Sequence, residues 1–124
     1  MSSLKKYKIG DVVRLKSLAW FDEMMENHVA VEGGLIYDMR QFFGKEQVIS
    51  NNEAGYAYIP LYHLVDDPRH WNFSNDMIEG IASSFPEYVE KNYTPLIDEG
   101  GLYFINDNND AYSLKEIYER YRAI

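Results

Sequence analysis

The stretch Asn106-Asp107-Asn108-Asn109-Asp110-Ala111-Tyr112-Ser113-Leu114-Lys115-Glu116 carries enough oxygen ligands to suggest calcium. A calcium loop needs its ligands at alternate positions, a glycine at position six and a glutamate at twelve. Counting from Asp107 puts Tyr112 at six and Tyr118 at twelve. Counting from Asn106 puts Ile117 at twelve. Both registers fail, and the stretch reads as a polar turn with an Asx cap. His28, His63 and His70 lack metal-ligand spacing, so no metal site is expected. The paired carboxylates Asp22-Glu23 and Asp66-Asp67 fall in turn-like segments, where adjacent acids are usually just solvated. There is no phosphate-binding glycine loop, no Gly-x-Ser-x-Gly and no dinucleotide fingerprint. With no cysteine in the chain, thiolate catalysis, disulfides and cysteine zinc sites are excluded. Neither catalysis nor a cofactor is expected.

What remains is binding chemistry. Trp20-Phe21 sits in a long excursion, where an exposed tryptophan would be costly unless folded down or used as a partner anchor. Tyr58 and Tyr62 fall two residues from other tyrosine or proline positions on one strand face. The candidate partner contacts are therefore Trp20, Phe21, Asp22, Glu23, Tyr58, Tyr62, Asp66 and Asp67. The net charge is -8 and is unevenly spread. Lys5, Lys6, Lys8, Arg14 and Lys16 against Asp11 give the first sixteen residues +4, and the remainder sums to -12. An acidic bulk disfavours duplex DNA, which needs clustered cations. Those five basic residues are the alternative nucleic-acid contacts, and nucleic acid is the weaker expectation. The stronger one is a protein partner with a basic surface, with the acidic side acting as a nucleic-acid mimic.

The elements that would position these residues are short. The chain has 124 residues, with 46% hydrophobic and 15% aromatic content, enough for one modest core. No apolar run spans a bilayer and no apolar stretch follows the first lysines, so a cytoplasmic protein without membrane contact is expected. Residues 11–16 alternate and predict a first strand, with Val13 and Leu15 on the greasy face. Residues 18–36 form a partly helical excursion turning at Gly33-Gly34, and a turn at Phe43-Gly44 leads into a strand over 46–50. Residues 56–65 predict a longer strand. Ile59, Leu61, His63 and Val65 would face the interior, and Tyr56, Tyr58, Pro60, Tyr62 and Leu64 the outside. In "RHWNFSNDMIEG", Trp71 and Phe73 would share one core-facing strand side. Ser74 would cap a short helix or 3₁₀ turn that returns Met77 and Ile78 to the core.

Three ordered blocks, "KIGDVVRLKS", "DMRQFFGKEQVIS" and "WNFSNDMIEG", resemble the small SH3-like barrel proteins common in bacteriophages and mobile elements. The resemblance covers about residues 9 to 80. The chain departs from it in the long excursion after the first strand and in Phe73, where a second tryptophan is usual. It implies an SH3-like small β-barrel and a phage or prophage origin, hence the host cytoplasm, and carries no catalytic signature.

Residues 83–124 lie outside that resemblance. Ser84 to Glu87 and Ser113 to Glu116 each read as a capping box opening a helix. Pro95 should end the first helix, and residues 102–105 form a strand. Leu114, Ile117, Tyr118, Tyr121 and Ile124 make an apolar stripe on the last helix. The expectation is an α+β protein. An SH3-like barrel over 1–82 carries a C-terminal α/β extension over 83–124, docked beside the tyrosine face of the 56–65 strand.

Overall fold

The structure is a computed structural model that describes residues 4–56 and 58–124. It is α+β, with two antiparallel sheets and three α-helices among these residues. The first sheet has five strands: β1 (Val12–Leu15), β2 (Glu46–Asn51), β3 (Leu61–Leu64), β4 (Phe73–Ser74) and β5 (Ile78–Ile81). Their spatial order is β4-β3-β2-β1-β5, and the sheet is open, with β4 and β5 at its edges. A 3₁₀ turn, Asn75–Met77, joins those two edge strands. The second sheet is β6 (Thr94–Asp98), β7 (Gly101–Ile105) and β8 (Ala111–Tyr112), in that order.

β1 explains how the two halves meet. Successive side chains on a strand point to opposite faces. Val13 and Leu15 enter one core with Phe21, Met39, Phe43, Ile49, Tyr62, Leu64, Phe73 and Met77. Val12 points the other way, and with its register partner Val48 joins Phe85, Val89, Phe104, Leu114 and Ile117. The face expected to be mostly charged is thus half apolar, and the extension covers it. Helix α3 (Leu114–Arg122) packs on β2 and on α2 (Phe85–Asn92). It does not dock beside the tyrosines of the 56–65 segment, because its stripe is already satisfied by Val12, Val48 and Phe85.

The excursion after β1 folds down onto the first core. Ser17 accepts from the Trp20 N–H at 3.0 Å and caps α1 (Leu18–Glu26), whose one buried side chain is Phe21. A 3₁₀ helix, Tyr37–Phe42, adds Met39 and Phe42. Between them Gly33 takes φ +85° and lies so close to Leu61, the Asn72 carbonyl and Met77 that a Cβ would meet them at 3.1–3.4 Å.

The 56–65 segment departs from expectation. Strand pairing holds only over Leu61–Leu64, and the faces are inverted. Tyr62 and Leu64 are fully buried, while Leu61, His63 and Val65 are half-exposed. The reason lies in the phenol. Its O–H donates to Asn75 Oδ1 at 2.8 Å and accepts from the Lys6 N–H at 3.0 Å, so the ring can enter the core with its polar end paired. His63, expected as a core histidine, instead faces His70, with ring centroids 5.2 Å apart, and meets Asn72 Oδ1 at 3.2 Å. Tyr62→Phe should remove the hydroxyl's bonds to Asn75 Oδ1 and the Lys6 N–H. A loss of about 1–3 kcal/mol in urea unfolding is expected, without change in the unfolding slope.

Phe73 is fully buried on β4. Trp71 lies just before the strand and only packs against the core's margin, so the two do not share a buried strand face. Met77 and Ile78 do return to the core. Ser74 sits at the N-cap position but makes no side-chain cap bond. At α2 the capping box does not form either: the Phe85 N–H goes to Ser83 Oγ. At α3 both halves of the box form, at 3.1 and 2.9 Å. Strand β6 was not foreseen. Helix α2 ends at Asn92, ahead of Pro95 as expected, and the proline then sits within β6, which pairs only with β7 and tolerates it on an edge.

Candidate partner-binding surface

The loop between β2 and β3 builds an exposed aromatic pair. Asn51 Oδ1 accepts from the Glu53 N–H at 2.7 Å and turns the chain out of β2. Tyr56 and Ile59 then exchange two backbone hydrogen bonds, at 3.0 and 3.1 Å. Gly55 is required for this closure. A Cβ there would strike the Ile59 carbonyl oxygen and come within 2.7 Å of the Leu61 nitrogen. The result is a tight projection on which Tyr56 and Tyr58 stack, centroids 5.7 Å apart and planes 11° from parallel. They are 68% and 65% exposed.

The other sequence candidates are scattered. Trp20 stacks on Phe43 at 5.7 Å, with Lys16 Nζ 5.7 Å from its ring centroid, so it is folded down. Phe21 and Tyr62 are core residues and cannot contact a partner. Asp67 is 2% exposed, and its two oxygens accept from the Arg69 and Trp71 N–H groups at 3.0 and 2.7 Å. It braces the turn rather than presenting charge. Asp22 accepts a two-pronged bond from Arg40 at 2.8 and 2.9 Å. Glu23 and Asp66 are exposed. Of the contact candidates, Tyr58, Glu23 and Asp66 remain outward-facing, and Tyr56 joins them as a residue first noted only for its strand face.

The basic residues also separate. Lys5, Lys6 and Lys8 line one cleft before β1. Arg14 pairs with Glu46 at 3.4 Å, and Lys16 serves Trp20. They do not form one continuous stripe. Among the described residues only three ion pairs occur, Arg14–Glu46, Arg40–Asp22 and Arg69–Asp38. Three of the twenty carboxylates are therefore ion-paired among the described residues, and twenty acids against twelve bases leave a net charge of -8. The Asn106–Asp110 stretch is an Asx-capped turn, with Asn106 Oδ1 accepting from the Asn108 and Asp110 N–H groups at 3.0 and 2.9 Å. No three His, Cys, Asp or Glu side chains among the described residues group as metal ligands. No helix among them is long and apolar enough to cross a membrane.

Two carboxyls titrate below their ordinary range. The Arg40 guanidinium holds Asp22 down by hydrogen bonding, and the Ser113 N–H and hydroxyl do the same for Glu116. A depressed folded-state value adds stability above the ordinary carboxylate range, and acidification through the folded value removes it. Asp22→Asn and Glu116→Gln should therefore lower the melting temperature at neutral pH. They should also flatten its fall below about pH 4, as read by melts across a pH series.

No protein-family model matches the chain, and no solved structure matches it. The 2-oxoglutarate dehydrogenase E1 components of Bacillus cereus strains AH187 and AH820 and of Bacillus anthracis are 30% identical to it over 89 residues. That match covers 68% of this chain and 9% of each of those proteins. The chain is thus similar to a short segment of a far longer protein.

Proposed function

We propose that this protein is a non-catalytic protein-binding module. In this reading it is a phage or prophage accessory, of anti-defence type, that engages a basic surface of a host protein. The anchor of the contact is the Tyr56–Tyr58 pair, and exposed carboxylates elsewhere on the surface, Glu23 and Asp66 among them, supply the charge that attracts a basic partner. The observation that carries the reading is the stacked pair itself. Two tyrosines held two-thirds exposed on a loop that tolerates only glycine at position 55 suit a rigid anchor better than a core. The fold proposed for residues 1–82 is SH3-like. Support comes from the strand order, the long excursion between β1 and β2, and the 3₁₀ turn before β5. An acidic surface occupying a basic, nucleic-acid-binding cleft would act there as a mimic. The dehydrogenase likeness spans 9% of those enzymes and transfers no activity.

Affinity capture from bacterial lysate tests this. The immobilised protein should retain one partner at low salt and release it as salt rises, because exposed charges are screened over about 8–10 Å. Tyr56→Ser with Tyr58→Ser should lose the partner while keeping the melting temperature. Capture that is indifferent to both salt and the tyrosines would reject the reading.

A further inference from the structure

A second site lies where the chain enters β1 and the extension leaves β5. Two clefts meet there, sharing Lys8 and Pro86. The larger, about 480 Å³, is walled by Lys5, Lys6, Tyr7 and Lys8, with Asn52 and Ser83. The smaller, about 230 Å³, is an apolar slot lined by Ile9, Pro86, Val89, Phe104 and Leu114. The entering segment is pinned at several points. Asn75 Nδ2 donates to the Leu4 carbonyl at 2.8 Å, Asn52 Nδ2 to the Tyr7 carbonyl at 3.1 Å, and Lys6 N–H to the Tyr62 oxygen. Lys8 N–H donates to Asp11 Oδ2 at 2.9 Å. The backbone is held while the three lysine ammonium groups make no ion pair among the described residues. Asp11, Glu87 and Glu90 also line the two clefts, but Asp11 is 6% exposed and holds the Lys8 N–H, so the three exposed ammonium groups set the charge of the N-terminal wall.

We propose that this composite groove binds an extended acidic peptide bearing an apolar anchor. The anchor enters the slot beside Ile9, which is 41% exposed, and flanking carboxylates lie over Lys5, Lys6 and Lys8. Glu87 and Glu90 border the groove from α2, and they set the direction. The partner's acids seat on the N-terminal side, and its apolar group seats against the helix. The slot favours a peptide over a nucleic acid, whose phosphates would meet the lysines but leave the apolar wall uncovered. This site is separate from the tyrosine loop and does not depend on it.

Fluorescence anisotropy on the full chain tests the proposal. The probe is a labelled, capped hexapeptide of four aspartates followed by leucine and phenylalanine. Wild type should bind it. Lys5→Glu with Lys8→Glu should weaken binding by about tenfold or more, and so should Ile9→Glu, each with an unchanged melting curve. Glu90→Lys should strengthen it. Lys45→Glu, with the same charge change as a single lysine reversal but outside the groove, should leave it unaltered. The same peptide with serines replacing leucine and phenylalanine should bind at least tenfold more weakly. No binding to wild type overturns the proposal. So does equal weakening by Lys45→Glu, or tighter binding of a six-residue thymidine oligonucleotide than of the peptide.

Discussion

Truncation after Ala82 is expected to leave a five-stranded sheet that is destabilised and aggregates. The cut removes Phe85, Val89, Phe104, Leu114 and Ile117, which now cover Val12 and Val48 at 0% and 2% exposure. Each fully buried aliphatic side chain is worth about 1.5–3 kcal/mol relative to exposure. Uncovering these two valines alone therefore costs about 3–6 kcal/mol, a large share of a domain margin of about 5–15 kcal/mol. The loss falls on β1 and β2, the centre of the sheet, and Val65 is partly uncovered with them. An exposed apolar patch of this kind on a small protein also promotes association. Size-exclusion chromatography and a thermal melt of residues 1–82 check the expectation. A monomer that melts like the parent would mean the two halves fold independently.

Phe73→Ala should be the most damaging single substitution in the first core. Phe73 is fully buried, edge-on to Phe42 at 5.9 Å and tilted against Phe43 at 6.2 Å. It pairs across the strands with Tyr62. The substitution removes a ring and leaves a cavity between β3, β4 and the folded excursion, for a loss of about 3–5 kcal/mol. Trp71→Ala should cost less. Trp71 is only half-buried, and its Nε1 is enclosed without a hydrogen-bond partner among the described residues, so part of its packing gain is already offset. Urea midpoints for the two variants should therefore rank Phe73→Ala below Trp71→Ala. The reverse order would place the weight of the core at the tryptophan.

Local chemistry was legible where neighbours in sequence decide it. The alternation in β1, the Gly33-Gly34 and Phe43-Gly44 turns, the return of Met77 and Ile78, and the Ser113–Glu116 box all depend on residues a few positions apart. What failed depended on distant partners. Tyrosine on a strand reads as amphipathic and outward. Nothing near Tyr62 announces that Asn75 and the Lys6 N–H will pair its hydroxyl inside the core. Once Tyr62 turns inward, strand alternation carries His63 outward to His70, seven residues on. Val12 looked like a residue on a charged face because its cover, Phe85 to Ile117, lies beyond the five-stranded sheet in sequence. Strand β6 was not legible because the edge position that tolerates Pro95 cannot be read before the sheet is known. The candidate site follows the same rule. Tyr58, Glu23 and Asp66 were legible as outward residues. The stacking of Tyr56 on Tyr58 was not, since it rests on the Tyr56–Ile59 closure and on the crowding at Gly55.

The proposed partner is a basic protein held by the tyrosine loop and attracted by the exposed carboxylates. The most direct measurement is the affinity of the captured partner for wild type and for Tyr56→Ser with Tyr58→Ser, each titrated over a salt series. Wild-type affinity should fall steadily as salt rises, and the tyrosine variant should be weaker by about tenfold or more at every salt concentration. Identical affinities for the two proteins, or tight salt-sensitive binding of wild type to DNA or RNA in place of a protein, would contradict it.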